Sequence, residues 1–269
     1  MDKFISRIFG VIAKFEFPKF LQIFINKKYV SHFGIDMSEF ADISEFKSLN
    51  ALFTRRILKE RKFDTSAESF ISPSDGVIFE NGVANDDLRA LCVKGHFYNL
   101  GELLGDSLLE NEKSKSLTYA NIYLSPKDYH HYHAPCDIFI EEALYIPAKL
   151  YSVAKKYLIK IPNLYALNER VILRCKMPNG GKLWLVFVGA LNVGKMKFVF
   201  DERIQTNAKN GKKTLYEYKN LHIKKGERLG NFDLGSTVVV VSESEFLKFD
   251  IKSDEKVKFG KTIGKLKLN

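Results

Sequence analysis

The chain has 269 residues, 45% hydrophobic and 13% aromatic, which is enough to bury a substantial core and excludes a disordered protein. Its formal net charge of +10 indicates an anionic partner, nucleic acid or an acidic membrane surface, although a lysine-rich proteome gives the same balance. The 3 cysteines are dispersed and odd in number, which excludes a disulfide framework and favours a reducing compartment. No stretch approaches the roughly 18 uncharged apolar residues that span a bilayer, and no signal-peptide cleavage site follows the first apolar segment.

The N-terminal segment predicts two helices that carry aromatic side chains and lysines. Apolar residues at helical spacing predict the first over residues 4–15. Pro18 opens the second, which continues through Phe24 to Lys27 and Lys28. Apolar aromatics on one face and cations on the other favour a helix lying in a lipid interface, although a surface helix packed on its own domain has the same pattern.

A third helix is predicted from Asp42, with Glu45 as its capping-box partner, to about Arg56. From residue 70 onward, short apolar runs alternate with turn residues, which is typical of strands. The clearest runs are residues 121–124, 139–146, 171–175, 183–188 and 237–241. Pro178-Asn179-Gly180-Gly181 between two of them predicts a hairpin.

The predicted fold class is therefore α+β, a helical N-terminal region on a mainly antiparallel β body. We expect residues 1–60 to form an amphipathic, membrane-contacting region and residues 61–269 to form a β-rich catalytic domain. Residues 206–226 are rich in lysine and predict a mobile, solvated loop.

Half of the 6 histidines fall within four positions, as His130, His131 and His133. Metal binding is one interpretation, but no Cys or carboxylate stands at a recognised zinc spacing. In a helix His130 and His133 would share a face, and in a strand His131 and His133 would do so. Purely structural histidines are a second interpretation. Acid–base chemistry is a third, for which Ser236 offers the hydroxyl and Asp75 the orienting carboxylate.

Nine short blocks follow one another along the chain in a defined order. They are Phe53-Thr54-Arg55; Ser72-Pro73-Ser74-Asp75-Gly76; Val93-Lys94-Gly95 with Tyr98, Leu100 and Leu103-Leu104-Gly105; Leu124-Ser125-Pro126-Lys127-Asp128-Tyr129-His130 with His133 and Pro135; Tyr145-Ile146-Pro147; Asn168-Glu169-Arg170; Val188-Gly189-Ala190 with Asn192-Val193-Gly194; Lys225-Gly226-Glu227; and Leu234-Gly235-Ser236-Thr237. In this order they resemble the phosphatidylserine decarboxylase family, from about residue 46 to residue 240. Each block is weak alone, and the nine together are highly specific.

The chain departs from the family pattern at three positions. Lys195 stands where a serine often follows the Asn-Val-Gly block, and Ile138 stands where a glycine is common. His131 is an additional histidine between the two family histidines. None of the three falls on a position to which the resemblance gives a catalytic role.

The resemblance implies that Asp75, His133 and Ser236 form a self-processing triad. Asp75 would hold the imidazole of His133 in one tautomer, and His133 would take the proton of the Ser236 hydroxyl. The freed oxygen would attack the carbonyl of Gly235, and the chain would split between Gly235 and Ser236. Ser236 would become a covalent pyruvoyl group, the cofactor of the enzyme.

The implied reaction is the decarboxylation of phosphatidylserine to phosphatidylethanolamine and CO2. The pyruvoyl ketone would form a Schiff base with the headgroup amine and accept the electrons released with CO2. His130 is the implied proton donor or carboxylate contact at this later stage. Residues 1–235 and 236–269 would stay associated as a heterodimer within a homo-oligomer. We expect no nucleic-acid partner and no metal, and a peripheral location on the cytoplasmic side of the cell membrane.

Two other functions stay open on the sequence alone. A serine hydrolase using Ser236, His133 and Asp75 without self-cleavage would remain one chain and react with fluorophosphonate probes. A non-catalytic module that binds nucleic acid or membrane would account for the net charge but not for the ordered blocks.

Overall fold

The computed structural model describes residues 12–84, 87–93, 95–191, 195–208, 211–233 and 237–267. Within these residues the α-helices are α1 (Lys19–Phe33), α2 (Leu49–Phe53), α3 (Leu100–Leu104), α4 (Lys155–Leu158) and α5 (Leu164–Leu167). Short 3-10 helices cover Ile43–Glu45, Gly105–Ser107 and Glu110–Glu112. The strands are β1 (Ser69–Ile71), β2 (Gly76–Val83), β3 (Arg89–Val93), β4 (His96–Asn99), β5 (Leu117–Tyr123), β6 (His131–His133), β7 (Ile138–Ile146), β8 (Arg170–Lys176), β9 (Lys182–Val188), β10 (Met196–Phe198), β11 (Thr214–Ile223), β12 (Arg228–Phe232), β13 (Thr237–Glu243), β14 (Leu247–Phe249), β15 (Lys256–Val257) and β16 (Thr262–Leu266).

The β body is built on an eight-stranded antiparallel sheet with the order β11-β7-β8-β9-β13-β5-β2-β15. Both of its faces are covered, because alternate residues of β13 enter two different hydrophobic clusters. Val238 and Val240 belong to one cluster, and Val239 and Val241 to the other. A strand buried on both faces needs a continuous apolar sequence, which explains the unbroken valine run.

Three smaller sheets complete the body. Strands β10, β12 and β6 form one sheet, β1, β16 and β14 a second, and β3 and β4 a third. The predicted α+β class is confirmed, and each of the five apolar runs forms or overlaps a strand. The predicted hairpin joins β8 to β9, and Gly180 there has a φ of +87°, a conformation that favours glycine.

The second predicted helix is confirmed as α1, which begins after Pro18 and ends at Gly34 in a left-handed conformation. The first lies mostly outside the described residues, although residues 12–14 are helical. The prediction of one continuous third helix is wrong. The capping box of Asp42 and Glu45 closes only a 3-10 turn, after which the chain extends and a new helix starts with its own cap at Ser48.

The prediction of a mobile loop over residues 206–226 is also wrong for Thr214–Ile223, which form strand β11. β11 is an edge strand paired with β7. Its half-buried side chains, including Tyr216, Tyr218 and Leu221, pack on the core, and the residues between them face solvent. Lys219, the one lysine within β11, is exposed to solvent, and the other lysines of the segment precede or follow the strand in the sequence.

In the part of the chain that the structure covers, no helix is long and apolar enough to cross a membrane. The end of the N-terminal region is joined closely to the β body. The ring centroid of Phe53 lies 3.9 Å from that of His130, and Arg55 donates to the carbonyl of Lys127 at 2.6 Å. The division at residue 60 stays a prediction, and residues on its N-terminal side contribute to the site described next.

Candidate active site

The histidine cluster lies on β6, a short extended strand paired with β12. His130, His131 and His133 are all buried. The extended alternative is therefore the correct one: His131 and His133 lie beside the same ring, that of Tyr129, at centroid distances of 4.9 and 5.8 Å. His130 lies instead against Phe53.

His133 is held in a single tautomer by its two neighbours. Its Nδ1 lies 2.9 Å from the carbonyl oxygen of Gly226, which can only accept, so Nδ1 carries the proton. Its Nε2 lies 3.2 Å from the hydroxyl of Tyr129, which donates to it. Burial, and to a smaller extent the charges of Arg228 and Arg61, lower the pKa of His133 to about 3, although the hydrogen bond to Gly226 acts in the opposite direction. The ring is therefore neutral at physiological pH, and its unprotonated Nε2 carries a lone pair that accepts a hydrogen bond.

Asp75 lies at the entrance to β2 in the Ser-Pro-Ser-Asp-Gly loop. Arg61 holds its carboxylate with two hydrogen bonds, at 2.5 and 3.0 Å, and the backbone N–H of Phe259 donates a third at 2.8 Å. A Cβ on Gly76 would lie 2.5 Å from the carbonyl oxygen of Tyr123. Only glycine permits this close approach of β2 to β5, which fixes the position of Asp75.

Asp75 and His133 are linked through Phe259, which contacts each of them with a different group. Phe259 gives its N–H to Asp75, and its ring stacks on His133 at a centroid distance of 3.6 Å. The backbone N–H of His133 also donates to the carbonyl of Pro73, two residues before Asp75. The contacts of these described residues include no hydrogen bond between the Asp75 carboxylate and the His133 ring. The role of Asp75 in orienting that ring stays a prediction, and here the carbonyl of Gly226 orients it.

His130 differs from the other two histidines in having one ring nitrogen without a partner among the described residues. Its Nδ1 lies 2.8 Å from the carbonyl oxygen of Asp128, and its buried Nε2 has no hydrogen-bond partner in the described part of the chain. Burial, with a contribution from Arg55, holds its pKa well below the ordinary value. A buried polar atom without a partner costs stability, so this nitrogen is a natural point for a ligand to bind.

Gly235 and Ser236 lie outside the described residues, and the structure places the residues on either side of them. Phe232 donates its backbone N–H to the carbonyl of His130 at 3.0 Å. Asp233 follows, buried, and Lys197 reaches its carboxylate at 3.1 Å. On the other side, Thr237 starts β13 at the centre of the main sheet. The predicted scission site therefore joins the strand beside the histidines to the sheet core.

Two residues of the site were not recognised from the sequence. Arg61 belongs to none of the nine blocks, and no local pattern distinguishes it from other surface arginines. Tyr129 lies within one of the nine blocks, and its position directly before His130 could have indicated that it belongs to the site. Its hydroxyl donates to the unprotonated Nε2 of His133, and burial raises the pKa of that hydroxyl to about 12, so it stays protonated.

The candidate metal site is not supported as a cluster. Among the described residues, no group of three or more His, Cys, Asp or Glu side chains is arranged to hold a metal ion. The histidine rings hydrogen bond instead to carbonyl oxygens of Asp128, Thr54 and Gly226.

Comparisons with known proteins give the family. Residues 49–265 match the family model described as phosphatidylserine decarboxylase. The chain belongs to the phosphatidylserine decarboxylase family. It is 52% identical over 261 residues to the phosphatidylserine decarboxylase proenzyme of Campylobacter jejuni, covering 96% of this chain and 97% of that one. It is 49% identical over 266 residues to the corresponding proenzyme of Helicobacter pylori, covering 98% and 97%.

A more distant relative carries the same name. The phosphatidylserine decarboxylase proenzyme of Marinobacter nauticus is 35% identical over 271 residues, covering 97% of this chain and 93% of that one. The resemblance inferred from the nine blocks is thus confirmed over nearly the whole chain. These relatives support the decarboxylase interpretation rather than the serine hydrolase or the non-catalytic module.

The buried histidines of this family member predict acid sensitivity. Burial lowers the pKa of His131 to about 4 and that of His133 to about 3. In the unfolded chain both titrate near pH 6.5. Below that pH the unfolded state binds protons that the folded state does not. The free energy of unfolding should therefore fall as the pH drops from about 6.5 towards 4, by up to about 1.4 kcal/mol per pH unit for each histidine, and stay level above 6.5.

Urea denaturation of the Ser236→Ala chain across this pH range measures the effect. In that background His131→Gln, which can still donate to the carbonyl of Thr54, should reduce the pH slope. His222→Gln, at an exposed position on β11, is the matched control and should leave it unchanged. Identical slopes in all three proteins would contradict the assignment.

Proposed function

We propose that this chain is a phosphatidylserine decarboxylase, made as a proenzyme that cleaves itself between Gly235 and Ser236. The observation that carries the proposal is that the chain is 52% and 49% identical, over nearly its full length, to two relatives that bear this name. The described geometry supports it in three ways: through His133, through His130 and through the strands that follow the scission site.

For self-cleavage, the chain needs a base that can take the proton of the Ser236 hydroxyl. His133 suits this role because its ring is neutral and its Nε2 carries a lone pair. The Tyr129 hydroxyl donates to Nε2 in this structure, and the hydroxyl of Ser236 would replace it as the hydrogen-bond donor. The oxygen then attacks the carbonyl of Gly235, and the peptide bond becomes an ester. Loss of the Ser236 Cα proton and cleavage of the bond between the ester oxygen and the Ser236 Cβ would release residues 1–235 with a terminal carboxylate. The dehydroalanine left on residues 236–269 would take up water and lose ammonia to give the pyruvoyl group.

The described surroundings fit a pyruvoyl group derived from Ser236. Thr237, the next residue, is fully buried and fixed between β5 and β9, so a group at this terminus is held firmly. When present, the pyruvoyl group supplies a ketone that takes the headgroup amine and accepts the electrons released with CO2. His130 Nε2 is one of the buried polar atoms that have no hydrogen-bond partner among the described residues, and as an imidazole nitrogen it suits the transfer of a proton.

His130 must gain a proton before it can give one. In the neutral ring Nδ1 donates to Asp128, so Nε2 is bare. Burial keeps the ring neutral in the protein, whereas an anionic substrate beside Nε2 raises the pKa and favours the protonated form. His130 would then return that proton to the carbon that has lost CO2.

The fragments are proposed to stay together after cleavage. Residues 236–269 supply β13 to β16, and β13 is hydrogen bonded along its length to β5 and β9 of the other fragment. Every side chain from Val238 to Val241 is fully buried. Separating the fragments would expose this strand to water, so we expect them to copurify until denatured. Assembly into a homo-oligomer stays a prediction.

We also propose that α1 contacts the cytoplasmic face of the cell membrane. Its buried residues are polar: Asn26 donates to the carbonyl of Phe46 at 2.8 Å, and Gln22 donates to Asn26. Phe20 and Phe24, by contrast, are 77% and 58% exposed. A helix that buries its polar side and exposes aromatics suits a lipid interface. Loss of vesicle cosedimentation in a Phe20→Ser, Phe24→Ser variant that still self-cleaves would support this; unchanged cosedimentation would contradict it.

Intact-mass spectrometry together with a decarboxylation assay tests the main proposal. We expect two species, residues 1–235 and 236–269, with the lighter one blocked to Edman sequencing and reactive with hydrazines. We also expect CO2 release from phosphatidylserine. A single species with the mass of the translated chain, carrying no reactive carbonyl, would overturn the proposal.

A further inference from the structure

A cavity of about 700 Å³ lies next to the histidine strand, and its wall is strongly basic. The cationic side chains that line it are those of Arg56, Lys195, Lys197 and Arg228. Within the described wall the single carboxylate is that of Glu202. Four cations facing one carboxylate leave a net positive cavity, which is unusual unless an anion binds there.

Internal contacts neutralise only part of this charge. Lys197 pairs with Asp233 at 3.1 Å, whereas the ammonium of Lys195 donates to the neutral side-chain amide of Gln205, at 3.1 Å. Burial lowers the pKa of Arg228, and the nearby charge of Arg56 lowers it further. The two guanidinium groups thus repel each other within one cavity. A bound anion would convert this repulsion into attraction.

His131, the histidine that departs from the family pattern, has a defined role in this wall. Its Nε2 donates to the carbonyl of Thr54 at 2.9 Å, which leaves Nδ1 bare to accept from Arg228 at 3.2 Å. The neutral ring therefore orients the guanidinium of Arg228 without neutralising its charge. His131 acts as a positioning residue for Arg228.

The cavity adjoins the proposed reaction centre. Asn231 and His131, both in its wall, face each other across the β12–β6 pair. Asn231 also donates to Asp233 at 3.3 Å, three residues before Ser236. A ligand group in this cavity would thus lie beside the strand that leads to the scission site and beside the residue that follows His130.

We propose that this cavity binds the phosphodiester of phosphatidylserine, with Arg56 and Arg228 as its principal contacts. The inference rests on the proposed function and specifies how its substrate is held. In the substrate, one methylene separates the phosphodiester oxygen from the carbon that bears the carboxylate, so a phosphate site must adjoin the reaction centre. Paired guanidinium groups match the geometry of phosphate oxygens.

The substrate carboxylate is the other candidate anion, and the chemistry argues against it. Decarboxylation removes the negative charge from the carboxylate, so strong cationic contacts there would stabilise the substrate more than the transition state and slow the reaction. The phosphodiester keeps its charge throughout. Cations placed on it therefore increase substrate binding without opposing the chemical step.

Steady-state kinetics with dihexanoyl phosphatidylserine, used as a monomeric substrate, test the proposal. Arg56→Gln and Arg228→Gln should each self-cleave fully and raise KM about tenfold, with kcat changed less than about threefold. Arg89→Gln, which removes an exposed arginine stacked on Phe97 in the β3–β4 sheet, is the matched control and should leave KM unchanged. If Arg228→Gln does not fold or self-cleave, the test proceeds with Arg56→Gln and Arg228→Lys.

Competition identifies the source of the phosphate. Glycerophosphoethanolamine should inhibit the wild-type enzyme and lose potency about tenfold against Arg56→Gln, whereas inorganic phosphate should inhibit at least tenfold less well. Stronger inhibition by inorganic phosphate would replace the proposal with a free-phosphate site. Unchanged KM in fully cleaved variants, or loss of anionic-vesicle binding without a change in KM, would also overturn it. A wild-type protein without decarboxylase activity would refute the proposed function instead.

Discussion

The Ser236→Ala variant is expected to remain a single chain of 269 residues and to have no detectable decarboxylase activity. A methyl group has no oxygen to attack Gly235, so neither the ester nor the second N-terminus can form. The fold should survive, because the strands after residue 236 are anchored by their own pairing with β5, β9 and β1. The loss of activity is therefore expected to be complete rather than partial.

Intact mass, a denaturing gel and CO2 release measure this outcome together. Ser114→Ala, at an exposed position, makes the same chemical change elsewhere and should cleave and decarboxylate like the wild type. A Ser236→Ala chain that still splits after residue 235 would eliminate Ser236 as the nucleophile. An intact chain with full activity would eliminate the cofactor assignment.

The two family histidines should give opposite phenotypes. His133→Ala removes the neutral base whose lone pair lies on Nε2, so self-cleavage should slow by about 10²- to 10⁴-fold, the usual contribution of general base catalysis. His130→Ala removes an Nε2 that has no hydrogen-bond partner among the described residues, so self-cleavage should proceed. Turnover by the cleaved His130→Ala enzyme should instead fall by a comparable factor, because proton transfer after loss of CO2 is impaired.

Separate assays distinguish these effects. The rate of appearance of the 236–269 fragment reports self-cleavage, and kcat per mole of cleaved enzyme reports turnover. His222→Ala, exposed on β11, is the control for loss of an imidazole and should change neither. Because His133 also stacks on Phe259, thermal unfolding of each variant establishes that the fold is retained. Exchanged phenotypes would show that the roles of His130 and His133 are reversed.

Arg61 illustrates the limit of sequence reasoning at this site. Asp75 was selected from the sequence as a carboxylate that would orient His133. The structure instead surrounds it with Arg61 and Phe259, the latter 184 positions away along the chain. No local pattern links these residues, because their meeting depends on how the loops of separate sheets pack. For the same reason the tautomer of His133, set by the carbonyl of Gly226, was not predictable.

The amino-acid sequence by itself determined the five apolar strand segments, the α+β class, the start of α1 and the family. These features depend on local periodicity, on turn residues and on the order of short blocks. Local periodicity failed for β11, where lysines before and after a half-exposed edge strand made the segment resemble a loop, and after Asp42, where a capping box closes only one turn.

Only the tertiary structure decided which strands, helix faces and side chains contact one another. It placed β13 between β9 and β5, which ties the proposed new terminus into the sheet core. It set His131 against Arg228 beside a basic cavity, and it turned the polar side of α1 inward. Such contacts join residues far apart in the chain, and their energies depend on burial and on neighbouring charges, neither of which a local sequence pattern records.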